Sequence, residues 1–244
     1  MTIADQPSPL FTARMAGALW LAVIVVSTLA VFGPTIIVPG DAAATARNIL
    51  GAELAFRLAV VEEFVGGACY VGVTVLLYQL LKPVSRNLAL FSAACGVIGI
   101  TVGAGLTVRD LGIISILASA EATPTDAAQL QAVARSAIMA FGLGFKVSMV
   151  YFGLQCATVG YLIARSGFIP RVVGVLLGVG GWFYVVSSLA YMISPAVGSI
   201  LSPVVIPVAF LGEGATTLWL LLKGVDVEKW RQRAGSIAPG LVAA

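Results

Sequence analysis

Seven charged side chains stand inside otherwise apolar stretches of this chain: Arg57, Glu62, Glu63, Arg109, Asp110, Lys146 and Glu213. Ionisable groups in apolar membrane segments are expensive, usually face the protein interior and often mark a pathway or a site. Carboxylates of this kind could hold a proton, a cation or the polar part of a ligand. The chain has no histidine, which removes the commonest metal ligand and general base. A His-ligated zinc, a bis-His haem and a Ser-His-Asp triad are excluded. Cys69, Cys95 and Cys156 share no short spacing and read as buried small hydrophobes, not as a disulfide or metal set. No cofactor, metal site or catalytic residue is therefore assigned, and an enzyme is the least supported reading.

The elements that must position these charges are membrane helices. Of 244 residues, 59% are hydrophobic and 10% charged, against about 25% charged in a soluble domain. Mean hydropathy is +1.03. A span needs about 20 apolar residues. The pattern gives six: Met15–Val38, Leu54–Leu81, Leu88–Leu117, a long helix opened by Thr123-Pro124-Thr125-Asp126 and ending at Arg165, Val172–Ile193, and Val204–Leu222. The apolar run after Met15 is too long for a signal h-region, so it reads as the first span and not a leader. A short helix after Pro39-Gly40 has Asp41 as its N-cap and Ile49, Leu50 and Leu54 as its apolar side. The expected fold is an all-α polytopic bundle forming one membrane domain. Residues 1–13 form a disordered tail, 14–223 the six-helix bundle, and 224–244 a cytoplasmic interfacial helix and tail.

Basic residues set the orientation. With the N-terminus inside, nine lie in cytoplasmic segments (Arg14, Lys82, Arg86, Arg165, Arg171, Lys223, Lys229, Arg231, Arg233), and only Arg47 and Arg135 lie outside. Both termini are then cytoplasmic. Tyr78–Lys82, Tyr161–Arg165 and Trp219–Lys223 each place an aromatic four residues before a base. Aromatic-belt chemistry produces this pattern, and so would three related hairpins. The same edge continues into Val227-Glu228-Lys229-Trp230-Arg231, an interfacial helix. Gly99/Gly103 and Gly174/Gly178 are GxxxG pairs, suited to packing within the bundle or to a homo-oligomer face. No basic run interleaved with aromatics appears, so nucleic acid is not an expected partner.

The order of segments resembles the bacterial membrane-protein family known as domain of unknown function 4386. The match is carried by Val38-Pro39-Gly40-Asp41 through Asn48-Ile49, and by Leu77-Tyr78 through Leu81-Lys82-Pro83-Val84 with Arg86-Asn87-Leu88-Ala89. It continues through Gly160-Tyr161-Leu162-Ile163, Pro170-Arg171, Gly174-Val175-Leu176-Leu177, Gly212-Glu213, Leu218-Trp219-Leu220-Leu221 and Glu228-Lys229-Trp230. The resemblance implies a six-span protein of the bacterial plasma membrane and implies no activity. Members often carry an arginine or other polar group early in the third span, where this chain has only Ser92.

Depth along the helices sorts the charges. Glu63 precedes Lys82 by 19 residues, and Lys146 precedes Arg165 by the same number, each roughly 28 Å at the helical rise. Glu62, Glu63, Arg109, Asp110 and Lys146 thus share the outer hydrocarbon boundary, with Arg57 further out. They form either an ion-pair cluster that locks helices or the mouth of an outward-facing polar cavity. Glu213 lies 10 residues before Lys223, roughly 15 Å in and near mid-depth. Gly212 and Gly214 leave it approachable. It is either neutral, as desolvation favours, or paired with Lys146. Glu63, Gly67, Tyr70 and Thr74 form one polar stripe, and Tyr151, Gln155 and Thr158 another; they line a cavity with Glu213 or satisfy one another. Two functions follow. One is binding or transport of a small polar or lipid-like molecule, with Glu213 at the cavity floor. The other is a non-catalytic accessory or sensory subunit acting through a membrane-protein partner.

Overall fold

The computed structural model describes residues 8–32, 38, 44, 47–48, 51–121 and 127–236; among the side chains outside the description are those of 107–111, 113–121 and 127–141. Among the described residues every element is helical: α1 Pro9–Phe32, α2 Glu53–Leu81, α3 Arg86–Glu121, α4 Ala127–Ser166, α5 Arg171–Ile193, α6 Pro195–Leu222 and α7 Val227–Gly235. Five are long and apolar enough to cross a membrane, and α6 makes a sixth when its two bent segments count as one span. Each long helix packs on its neighbours in sequence, and α6 returns to α1, so the six close into a ring. The short helix expected after Pro39-Gly40 lies mostly outside the described residues, as do Asp41, Ile49, Leu50 and the Thr123–Asp126 start signal.

The packing is inside-out relative to a soluble protein. Thr74, Gln155, Ser188, Thr216 and Thr217 are buried, whereas Ile193, Ile200, Leu211 and Leu222 are among the most exposed side chains. Such a surface is stable against hydrocarbon and not against water. The largest buried cluster runs from the basic end of the bundle, through Leu80, Leu81, Leu162, Ile163 and Leu220, up to Trp20, Tyr70 and Cys156.

Two helices start earlier than hydropathy suggests. Residues 9–13, expected as tail, are the first turns of α1, with Thr12 and Ala13 buried. The cause is local: Ser8 Oγ accepts from Phe11 N at 3.2 Å as an N-cap, and Pro9 holds the first helical position. Ser194-Pro195 repeats that arrangement without the side-chain bond, so α6 begins at Pro195 and not near Val204. Pro203 and Pro207 remain inside it. A 41° bend falls between the segments ending at Val205 and beginning at Pro207. A proline removes one backbone hydrogen bond and its ring clashes with the preceding turn, which bends the helix.

At the basic end the connections are pinned. Gly167 (φ 78°) and Gly224 (φ 69°) take the left-handed conformation just past α4 and α6, which favours glycine. Asp226 N donates to Phe168 O at 3.1 Å. Trp230 of α7 donates from Nε1 to Leu80 O at 2.8 Å, fixing the amphipathic helix to the end of α2. Of the three aromatic–basic pairs, Tyr161 and Arg165 stack, with the guanidinium 5.8 Å from the ring centre.

Small residues set the closest helix pair. A Cβ on Gly160 of α4 would strike backbone atoms of Gly174 and Gly178 of α5, and one on Gly153 would strike Gly181. The Gly174/Gly178 pair is thus used within the bundle. A Cβ on Gly142 would meet nothing within 4 Å among the described residues. Gly160→Val should therefore lower stability by about 1–3 kcal/mol through overpacking, seen as a drop of several degrees in thermal midpoint in detergent, while Gly142→Val changes it little.

Candidate functional site

Glu213 lies in the second segment of α6 and is held from two other helices. Tyr184 of α5 donates from Oη to Glu213 Oε1 at 2.8 Å. Trp20 of α1 donates from Nε1 to Oε2 at 3.4 Å, the longer and weaker bond. No basic side chain pairs with the carboxylate among the described residues. Burial of a polar side chain in hydrocarbon requires such partners, and here they are neutral donors.

The two donors belong to a chain of touching rings. Trp20 meets Tyr70 of α2 edge-on, with centroids 6.4 Å apart and planes at 83°. Tyr70 meets Phe152 of α4 at 5.3 Å. Phe152 meets Tyr184 of α5, also at 5.3 Å, with planes at 69°. Glu213 joins the ends of this chain. Trp20, Tyr70, Phe152, Tyr184 and Glu213 thus make a closed circuit of side chains from five helices. Edge-to-face aromatic pairs contribute about 0.5–1.5 kcal/mol each beyond their buried area.

A second polar cluster is joined to the first through Tyr70. Tyr70 Oη donates to Gln155 Oε1 at 2.9 Å, and Gln155 Nε2 donates to Thr74 Oγ1 at 3.1 Å. This brings α4 into hydrogen-bonded contact with α2 across the ring. The sixth helix closes on the same group: a Cβ on Gly96 of α3 would collide with the Gln155 amide. Ser148 Oγ donates to Gly99 O at 2.9 Å and ties α4 to α3 one level further from the basic end. Cys156 is buried in the same cluster as Tyr70 and Trp20.

A family model with the description "Domain of unknown function (DUF4386)" matches residues 15–224. The chain belongs to that family. No curated protein and no solved structure matches it. The matched segment takes in α2 to α6 and α1 from Met15 on, and so every member of the circuit; in this DUF4386 chain α7 and the first turns of α1 fall beyond it.

Of the residues singled out in sequence, Tyr70 and Gln155 bond directly and lie in one network with Glu213; the Tyr70–Thr74 and Gln155 stripes satisfy one another. Thr158 turns back to Leu154 O. Lys146 is not the partner of Glu213: its Nζ lies over the Tyr191 ring of α5, 5.2 Å from the centroid. That cation–π contact leaves Lys146 toward the end away from the basic turns, while Glu213 turns to Trp20 and Tyr184. Glu63 is exposed and Glu62 partly buried, with Oε1 accepting no hydrogen bond among the described residues. Arg109 and Asp110 lie in α3, and their side chains are outside the description.

Three members of the circuit were not singled out in sequence: Trp20, Phe152 and Tyr184. A usable signal exists for two. Trp and Tyr concentrate at membrane interfaces, and Trp20 and Tyr184 instead lie well inside their helices, where an N–H or O–H needs a partner. Tyr70→Phe should leave the Gln155 carbonyl oxygen buried without its donor and cost about 1–3 kcal/mol. Chemical or thermal unfolding of the purified protein reads this directly, and Tyr151→Phe, on α4 and outside the network, serves as the control.

Proposed function

We propose that this protein binds a small polar or lipid-like molecule within the membrane, and moves or presents it, with Glu213 as the group that meets it. The observation that carries this reading is a carboxylate near mid-depth held by neutral donors alone. A salt bridge adds the attraction of two opposite charges to its hydrogen bonds, so a ligand's cation competes more easily with the neutral donors Trp20 and Tyr184 than it would with an Arg or Lys. The long Trp20 contact is the first to yield. The buried cluster lies between this circuit and the basic end, which supports approach from the opposite, outer side. The bend at Pro207 is six residues from Glu213 on that side, roughly 9 Å along the helix. A broken helix beside a mid-membrane binding residue is an arrangement that transporters use.

On positive-inside grounds we take the basic end as cytoplasmic, with both termini there, and the membrane as the bacterial plasma membrane. That both oxygens of Glu213 already have donors favours a second reading: a helix-locking carboxylate in a non-catalytic accessory or sensory subunit. Glu213→Gln separates the two, since its amide carbonyl still accepts a hydrogen bond while the charge is gone. Native mass spectrometry from lipid nanodiscs should detect a small molecule retained by the wild type and lost from Glu213→Gln, with the thermal midpoint within about 4 °C. The same occupancy in both proteins, or none in either, supports the second reading.

A further inference from the structure

A second feature lies at the other end of the molecule, independent of Glu213. Between α7 and the turn that follows α4 there is a cleft of about 330 Å³, lined by Ser166, Gly167, Lys229, Gln232, Arg233 and Ser236. Its charged donors are Lys229 and Arg233, with the Gln232 amide beside them, while the hydroxyls of Ser166 and Ser236 are turned to the carbonyls of Ile163 and Arg233. Lys229 and Arg233 are four residues apart on α7, so their side chains lie on one face. Arg233 has no carboxylate partner among the described residues. Lys229 is bound to Asp226 at 2.9 Å and keeps two further N–H donors. That bond holds the Asp226 carboxyl below the usual aspartate range, so Asp226 stays charged at neutral pH and neutralises one cation of the pair. Glu228 is the adjacent residue and projects about 100° round the helix. Arg165 and Arg171 flank the turn and add to the local positive potential.

The position of the cleft is fixed by the fold. Trp230 anchors α7 to Leu80 O, and Asp226 N is bonded to Phe168 O on the same turn. α7 therefore lies across the bundle end where the spans emerge, at the level of lipid headgroups. Basic pockets between helices at such a level bind anionic headgroups. We propose that this cleft is a phosphate site, in which Arg233 and Lys229 grip the phosphodiester of an anionic phospholipid or a free phosphate ion. Arg233 supplies the planar fork suited to two phosphate oxygens, and Lys229 a point charge.

The test uses the full chain in phosphatidylcholine nanodiscs, with and without phosphatidylglycerol, and inorganic phosphate as the second probe. Retained phosphatidylglycerol is counted by native mass spectrometry, and stabilisation is read from the thermal midpoint. The double variant Lys229→Gln/Arg233→Gln should weaken retention about tenfold or more, because it removes the charge-assisted hydrogen bonds that hold the phosphate. Arg86→Gln/Arg231→Gln removes the same charge from the same end and should change it less than threefold. The charge-conserving Lys229→Arg/Arg233→Lys should retain binding, which separates loss of the site from loss of α7. Selective retention of phosphatidylglycerol supports the lipid source. Stabilisation by inorganic phosphate in phosphatidylcholine alone supports the free ion. Equal loss in the two double variants, or no loss in the first, overturns the proposal.

Discussion

Glu213 is a partly buried carboxylate in an apolar helix, and it takes its donors from two other helices. Trp20 is 193 positions away and Tyr184 is 29. An unsatisfied group of this kind would cost several kcal/mol, comparable to the net stability of a whole domain. The need to satisfy it fixes how α1 and α5 sit against α6. Through the aromatic contacts it reaches α2 and α4, and through Gln155 it reaches α3. One mid-membrane polar group thus accounts for the closure of the ring at a level where lipid contributes no hydrophobic drive for helices to associate.

The rest of the architecture serves that closure. Glycines bring α4 and α5 into backbone contact, which puts Phe152 against Tyr184. Leu80, Leu162 and Leu220 fill the bundle from the circuit to the basic end. The turns at Gly167 and Gly224 and the Trp230 anchor hold that end together. Toward the other end α6 carries two prolines and a bend, and Lys146 rests on Tyr191 without bearing on the carboxylate. The chain is therefore tightly packed on one side of Glu213 and broken in its helical geometry on the other.

Much of this was legible in the sequence, and the limits are physical. Hydropathy marks spans because hydrocarbon excludes charge, and five of the six have their counterpart in one long helix each, the sixth in a bent pair of segments that starts nine residues early. It does not see Ser-Pro starts, so Pro9 and Pro195 were missed; nor does it show that α6 tolerates Pro203 and Pro207 as a bend. Glu213 stood out because a deep charge is costly, and Tyr70 and Gln155 because polar residues repeat at helical spacing. Phe152 gives no contrast within an apolar run, and Trp20 and Tyr184 show only as a Trp and a Tyr placed away from the helix ends. Which residues meet across non-adjacent helices depends on rotation about each helix axis, and composition does not encode that rotation.

The central claim is that Glu213 and Tyr184 are directly coupled in the folded protein. A double-mutant cycle with Glu213→Ala, Tyr184→Phe and the combined variant, read by unfolding in one detergent, measures that coupling. A hydrogen bond to a carboxyl group predicts an interaction of about 1.5–3 kcal/mol. Additivity within about 0.5 kcal/mol would contradict the account.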